Sequence, residues 1–159
     1  MRVFSLIIIS ISFSLAVSAQ QERDTVLKRC PVYITDTVSS NNFFIEAQPA
    51  TLKVDRVKGD LTIIVQQRDQ FFTIFVRDKK LKNEKYKIQV EAKGKNTIEA
   101  KYSFRSGEQV SYVNVRSGTM ESSFDKEKDM WHLKVNGLIA NLVERTVTYY
   151  KVRADLYIR

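Results

Sequence analysis

The sequence predicts an all-β protein, specifically an antiparallel β-sandwich. Past Pro49 the chain consists of short runs in which apolar and polar residues alternate, as in strands with one buried and one solvated face. All five glycines fall in gaps between such runs, where glycine adopts the positive φ of a hairpin turn without steric cost. Both prolines lie at or before residue 49, so every later residue can donate a ladder hydrogen bond.

Residues 1–19 have the composition of a signal peptide. Arg2 supplies a positive start, residues 3–17 are apolar and serine-rich without charge, and Val17 and Ala19 provide the small residues of a signal-peptidase site. We therefore expect cleavage after Ala19 and export of the mature chain. The alternative is an uncleaved membrane anchor, which the sequence disfavours because a spanning helix needs about 20 predominantly apolar residues.

Cysteine usage indicates the compartment. The mature chain contains one cysteine, Cys30, and no N-x-Ser/Thr glycosylation acceptor. Small domains secreted by animal cells are commonly held by several disulfides, whereas this domain must rely on its core. We expect a protein of the periplasm or cell envelope of a Gram-negative bacterium, with secretion as the alternative. A disulfide between two chains through Cys30 stays open.

The mature chain is expected to have a polar lead-in at residues 20–42, with a short edge strand at residues 32–34. One all-β domain follows at residues 43–159. Its first three strands are predicted at residues 52–57, 61–66 and 71–76, separated by turns around Gly59 and Asp69.

The third of these strands, residues 71–76, is apolar on both faces apart from Thr73. Such a strand is central in a sandwich or lies under a covering segment. It favours the sandwich over the alternative, a closed or flattened lipocalin-like barrel, because a simple barrel wall has one core face.

The later runs alternate residue by residue to the end of the chain. Asn136-Gly137 is the strongest hairpin signal among them, since both residues tolerate the positive φ of a type I′ turn. The side chains predicted to be buried are Phe72, Ile74, Ile88, Val90, Ile98, Tyr102, Trp131, Leu133, Val135, Leu156 and Ile158.

The inventory of catalytic groups is thin. The single histidine, His132, alternates with Trp131 and Leu133 and should point away from the core, and no Gly-x-Ser-x-Gly turn presents a nucleophile. One histidine and one distant cysteine cannot build a zinc site, and no glycine-rich phosphate loop occurs. We therefore expect no enzyme, no catalytic residues, no bound metal and no cofactor.

Positive charge is the feature that suggests a ligand. The formal charge of the whole chain is +8. Cations are dense between Arg77 and Lys87, and the solvated face of the last strand interleaves tyrosines with cations. The candidate basic binding surface is Arg77, Lys79, Lys80, Lys82, Lys85, Lys87, Tyr149, Lys151, Arg153 and Tyr157. The plainer interpretations are a lysine-rich edge that discourages aggregation and tyrosines packed beside the stems of cations.

These observations predict a non-catalytic exported binding or assembly module. Its expected partner is an anionic glycan, an anionic lipid surface or a protein, and not nucleic acid, which an exported protein rarely meets. One alternative is a small β-barrel that carries an apolar ligand. An outer-membrane β-barrel fits less well, because most runs are shorter than the 9–11 residues of a spanning strand and the chain ends in Arg159.

Overall fold

A computed structural model describes residues 24–39, 41–77, 80–143 and 146–159. All regular structure in these residues is β-strand, which confirms the predicted all-β class. In chain order the strands are β1 (Thr25–Leu27), β2 (Val32–Asp36), β3 (Ala50–Val57), β4 (Asp60–Gln67), β5 (Gln70–Val76), β6 (Glu84–Ile88), β7 (Thr97–Ser106), β8 (Gln109–Asp125), β9 (Met130–Val143) and β10 (Thr146–Ile158).

The strands hydrogen-bond in the order β1-β3-β4-β5-β7-β6-β8-β9-β10-β2, with a further pairing between β7 and β8. The first part of β8 pairs with β7, and its second part pairs with β6 and β9. We call β1, β3, β4, β5, β7 and the first part of β8 the β4 sheet, and the remaining strands the β9 sheet. Among the described residues every ladder is antiparallel except a two-residue parallel contact between β6 and β7. The arrangement is consistent with the predicted sandwich and with its flattened-barrel alternative.

Residues 20–42, expected as a lead-in, contribute two strands to the fold. β1 pairs with β3 and β2 pairs with β10, so residues 28–31 carry the chain from one end of the strand order to the other. Cys30 is buried in this connection, and burial raises the pKa of its thiol. A disulfide between chains would first require exposure of that thiol. The predicted signal peptide lies outside the described residues.

Two-residue turns join the early strands where the sequence predicts them. Lys58-Gly59 links β3 to β4, and Arg68-Asp69 links β4 to β5. Lys58 has a φ of 53° and Gly59 a φ of 97°. Two consecutive positive φ angles match the type I′ turn, whose twist suits the flanking strands.

The predicted hairpin turn at Asn136-Gly137 is wrong. Both residues lie inside β9, and Gly137 faces Gly118 of β8 directly across the ladder. A Cβ on Gly118 would lie 2.5 Å from Gly137 Cα and closer still to the Asn136 carbonyl oxygen. A β-bulge between Val115 and Ser117 precedes this contact, where β8 passes from one sheet to the other. The two glycines therefore permit a close backbone approach at a bend and do not form a turn.

The buried apolar side chains of both sheets form one core cluster. Nine of the eleven predicted core residues are buried. Val90 is 44% exposed, contrary to prediction, because β6 ends at Ile88, two residues before the alternation in the sequence ends. Trp131 is half-buried near the start of β9, where its ring lies edge-on to Phe124 with centroids 5.3 Å apart.

The doubly apolar strand, β5, lies between β4 and β7 in the β4 sheet. Phe72 on its inner face is fully buried, whereas Phe71 and Phe75 on its outer face are half-buried. The Lys101 ammonium lies 4.7 Å from the centre of the Phe75 ring. A lysine side chain from the neighbouring strand thus shields part of the outer face, as amphipathic side chains commonly do.

Candidate functional site: a basic face on the β9 sheet

The pairing register brings part of the predicted basic surface together on one outer sheet face. Lys87 of β6 faces Thr119 of β8, which faces Asn136 of β9, which in turn faces Arg153 of β10. Adjacent strands lie about 4.8 Å apart, so the backbones at Lys87 and Arg153 are about 14 Å apart across the sheet. Cations that lie 66 residues apart in sequence therefore share one row.

Further cations flank this row. Lys134 lies two residues from Asn136 on β9, and Lys151 lies two residues from Arg153 on β10, so both point to the same face. We call Lys87, Lys134, Lys151 and Arg153 the basic face. All four are exposed, and no carboxylate among the described residues lies within 4 Å of their charged groups.

A shallow cleft of about 450 Å³ lies on the β2 side of this face. Lys134 and Arg153 provide its positive charge, and the Thr35 hydroxyl and the Asn136 amide provide neutral donors. Partial burial, and to a smaller extent a hydrogen bond to the Glu46 carboxylate, raises the pKa of the Tyr33 hydroxyl. The polar lining residues are Tyr33, Thr35, Lys134, Asn136, Arg153 and Asp155. A planar guanidinium beside an ammonium and neutral donors suits a phosphate or carboxylate group.

One corner of the sheet face is already engaged in internal contacts. The His132 ring stacks on Tyr157, with centroids 4.3 Å apart and planes 5° apart. The Lys128 ammonium lies 3.9 Å from the centre of the same Tyr157 ring. A ring and an ammonium at these distances cannot share one face of the ring, so both faces of Tyr157 are covered. His132 Nε2 lies 2.6 Å from an oxygen of Asp155, which ties this corner to the cleft.

The hydrogen bond to the Tyr157 hydroxyl is the main cause of a raised pKa at Lys128, with a smaller contribution from Asp125. Tyr157 therefore behaves as the packed tyrosine of the plainer interpretation, and its ring is not free to stack on a ligand. Tyr149, by contrast, is about half exposed near the far end of β10.

The loop cations after β5 are largely compensated by carboxylates. Arg77 donates to Glu99 at 2.9 Å, and Lys85 lies 3.0 Å from Glu121. The Lys82 ammonium lies 4.0 Å from Glu84. Lys80 is exposed, and Lys79 lies outside the described residues. Among the described cations of the stretch from Arg77 to Lys87, Lys85 and Lys87 alone share the sheet face with Lys151 and Arg153.

Four residues of the cleft were not identified from the sequence: Tyr33, Thr35, Lys134 and Asn136. Alternation predicts that Lys134 points outward, but it does not predict that β9 and β2 lie on either side of β10. That placement depends on pairing between distant strands, for which the chain carries no local signal.

The described residues contain no group of three or more His, Cys, Asp or Glu side chains placed to hold a metal ion. Nor do they contain a helix long and apolar enough to cross a membrane. No known protein family, curated protein or solved structure matches this chain.

Proposed function

We propose that this protein is a non-catalytic binding module of the cell envelope, and that its basic face holds phosphate or carboxylate groups displayed by a glycan or lipid surface. The observation that carries the proposal is the set of four exposed cations without carboxylate partners, spread over three strands of one sheet. Elsewhere on the described surface several lysines and arginines lie within 4 Å of acids, whereas these four do not, although Glu121 and Asp155 face Lys134 across the two ladders of β9.

The rigidity of the face supports this function. β10 pairs with β9 over thirteen consecutive residue pairs and with β2 on its other side. The backbones of Arg153 and Asn136 are therefore held before any ligand arrives, which lowers the entropic cost of binding. The cations are exposed, so salt screens their attraction to an anionic surface over roughly 8 Å at physiological ionic strength, and binding should weaken as salt rises.

The expected export of the chain supports the proposed location. An exported protein meets phospholipid headgroups and acidic glycans, and a net positive charge favours association with both. The alternative function, carriage of an apolar ligand, has one supporting observation, an apolar cleft of about 240 Å³ at one end of the fold.

Vesicle and polysaccharide binding tests the proposal. The probes are phosphatidylglycerol vesicles, phosphatidylcholine vesicles and soluble polygalacturonate, each titrated at low and physiological salt. Each cation near an anionic surface contributes about 1 kcal/mol, so Lys134→Gln, Lys151→Gln and Arg153→Gln together should weaken binding about 100-fold. Binding to vesicles but not polygalacturonate would identify lipid, and the reverse would identify glycan.

The matched control is a second triple variant with the same loss of charge. Lys58, Arg68 and Lys126 are exposed and lie in turns outside the basic face. Their replacement by Gln should change binding less than about threefold, because these charges do not lie on the sheet face that meets the anionic surface. The proposal is wrong if both triple variants lose the same affinity, since net charge alone would then explain binding. It is also wrong if neither anionic probe binds the parent protein.

A further inference from the structure

The end of the fold opposite the β8–β9 turn is split into two arms. Beyond the pair formed by Val115 and Ile139, β8 leaves β9 and pairs with β7 instead. β9 continues past this point paired with β10 alone. We call residues 101–114 of β7 and β8 the first arm, and residues 139–143 of β9 with residues 146–150 of β10 the second arm.

Each arm presents an unpaired strand edge toward the gap. Residues 109–114 of β8 pair only with β7, and residues 140–143 of β9 pair only with β10, in the part of the chain that the structure describes. An unpaired edge exposes backbone N–H and C=O groups that can accept another strand.

The free edge of β8 is unusually unprotected. Residues 109–114 contain no charged residue and no proline, and Val110 and Tyr112 are 57% and 66% exposed. Natural proteins normally guard such an edge with lysine, proline or a covering segment, because an uncharged strand-forming edge promotes aggregation. The composition therefore indicates an edge that a second strand covers.

An apolar cleft of about 240 Å³ lies between the arms. The Phe43 ring forms its base, with centroids 5.5 Å from Tyr102 of the first arm and 5.1 Å from Tyr150 of the second. A buried apolar cavity of about 150 Å³ is enough for benzene, so this cleft has room for one large aromatic side chain. It is lined by Phe43, Tyr102, Phe104, Val113, Ile139, Asn141 and Tyr150.

Charge near the free edge indicates the chemistry of the occupant. Arg116 lies at the fork beside the bulge, and Arg105 lies next to Phe104 at the outer end of the first arm. Both are exposed, and neither has a carboxylate within 4 Å among the described residues. Glu108 lies next to Gln109 at the outer end and partly offsets Arg105, so Arg116 carries most of the net positive charge near the edge. This favours a segment with an acidic residue at the end that lies beside Arg116.

We propose that the gap between the arms docks an extended segment of a partner protein, which adds a strand to the β8 edge and inserts an aromatic side chain into the apolar cleft. Backbone pairing supplies general affinity in this mode of recognition, and the cleft selects the side chain, since alternate residues of the added strand face inward. A free lipid or small apolar molecule would fill the cleft but leave the edge groups of residues 109–114 unpaired. This site is separate from the basic face, and its failure would leave the proposed function intact.

A displayed library of random twelve-residue peptides, selected against the whole protein, tests the proposal. The enriched peptides should alternate apolar and polar residues, contain an aromatic residue and carry an acidic residue near one end. On binding a synthetic peptide of the enriched sequence, amide hydrogen exchange should slow at alternate residues within 109–114, because the N–H groups that point away from β7 gain partners.

Two variants with the same change and the same exposure provide the control. Phe104 and Phe124 are both 38% exposed. Phe104 lines the cleft, whereas Phe124 lies about 40 Å along β8 from the position opposite Phe104. Phe104→Ser should weaken binding of the peptide at least about tenfold, and Phe124→Ser less than about twofold, because only the first contacts the inserted side chain. Equal effects of the two substitutions would overturn the proposal.

Three other outcomes would also overturn it. One is the failure of the library to enrich any sequence above background. Another is a concentration-dependent dimer of the free protein in which residues 109–114 are already protected, which would make a second copy of this chain the occupant. The last combines two observations: the protein binds 1-anilinonaphthalene-8-sulfonate and Phe104→Ser abolishes that binding, yet no peptide slows hydrogen exchange at residues 109–114. That result would favour the alternative function, carriage of an apolar ligand.

Discussion

The contact between Gly118 and Gly137 should make Gly118→Ala one of the most damaging alanine substitutions in the chain. Gly118 has a φ of 147°, a conformation that costs a residue with a Cβ about 1–3 kcal/mol. The new Cβ would also lie 2.5 Å from Gly137 Cα, so the β8–β9 ladder must separate, and overpacking of this kind costs about 1–3 kcal/mol more. The expected loss is about 4 kcal/mol of unfolding free energy, the sum of the two costs.

Two other glycines separate the two causes of this loss. Gly107 has a φ of 59°, but a Cβ at this position would have no atom within 4 Å, so Gly107→Ala should cost about 1 kcal/mol from backbone strain alone. Gly94 lacks a positive φ, and the nearest neighbour of its new Cβ would be 3.7 Å away. Gly94→Ala should therefore be neutral or stabilise the fold by up to about 1 kcal/mol, because alanine restricts the unfolded chain.

Urea unfolding followed by fluorescence of the single tryptophan measures the series. With a denaturant dependence of about 2 kcal/mol per molar, Gly118→Ala should lower the midpoint by about 2 M and Gly107→Ala by about 0.5 M. If Gly118→Ala and Gly107→Ala unfold at the same urea concentration, the close approach of β8 and β9 does not exist and the reasoning fails.

Three further predictions concern the core. Gln67→Leu should destabilise the protein by about 2–4 kcal/mol in urea unfolding. The reason is that the buried Gln67 amide both accepts from the Ile45 N–H at 2.8 Å and donates to the Ile45 carbonyl at 2.9 Å. A loss below about 0.5 kcal/mol would contradict this pair of hydrogen bonds. Leu133→Ala should lower the unfolding free energy by about 3–5 kcal/mol, and by more than Trp131→Ala, because Leu133 is fully buried and Trp131 is half-buried. A larger loss in Trp131→Ala would contradict the burial assigned to these two side chains of β9. Burial raises the pKa of Cys30, so the native state binds the thiol proton more tightly than the unfolded state does. The unfolding free energy should therefore fall as pH rises above about 8.5, and it should fall less in Cys30→Ala. Parallel pH profiles of the two proteins would refute this linkage.

The faces of most strands could be predicted from the sequence because alternation is a local property. A residue such as Leu156 or Val135 is buried wherever its strand pairs, provided that one face of the sheet meets the core. The prediction is wrong at Val90, where the strand ends two residues earlier than the alternation does. Strand ends depend on which neighbours are available to pair, and β6 has its main partner, β8, only over residues 84–88.

The candidate site shows the same division between local and distant effects. The sequence alone identified the cations between Arg77 and Lys87 and those on the last strand. It did not show that Arg77 and Lys85 face Glu99 and Glu121, which come from strands paired far along the chain. The electrostatic field of a charged segment depends on its neighbours in space. Local charge density in the sequence therefore overestimated the positive charge that the loop after β5 offers to a ligand, and it missed Lys134.

The sequence by itself determined that this chain forms strands, where its early turns lie and, at nine of eleven predicted positions, which side chains enter the core. These properties depend on residues within a few positions of each other. Only the tertiary structure decided the strand order. The basic face across three strands, the role of Gly118 and Gly137 at a bend, and the unpaired edges of the two arms all depend on that order. Hydrogen bonds between strands are the same for every sequence, so their partners are chosen by the packing of the whole chain.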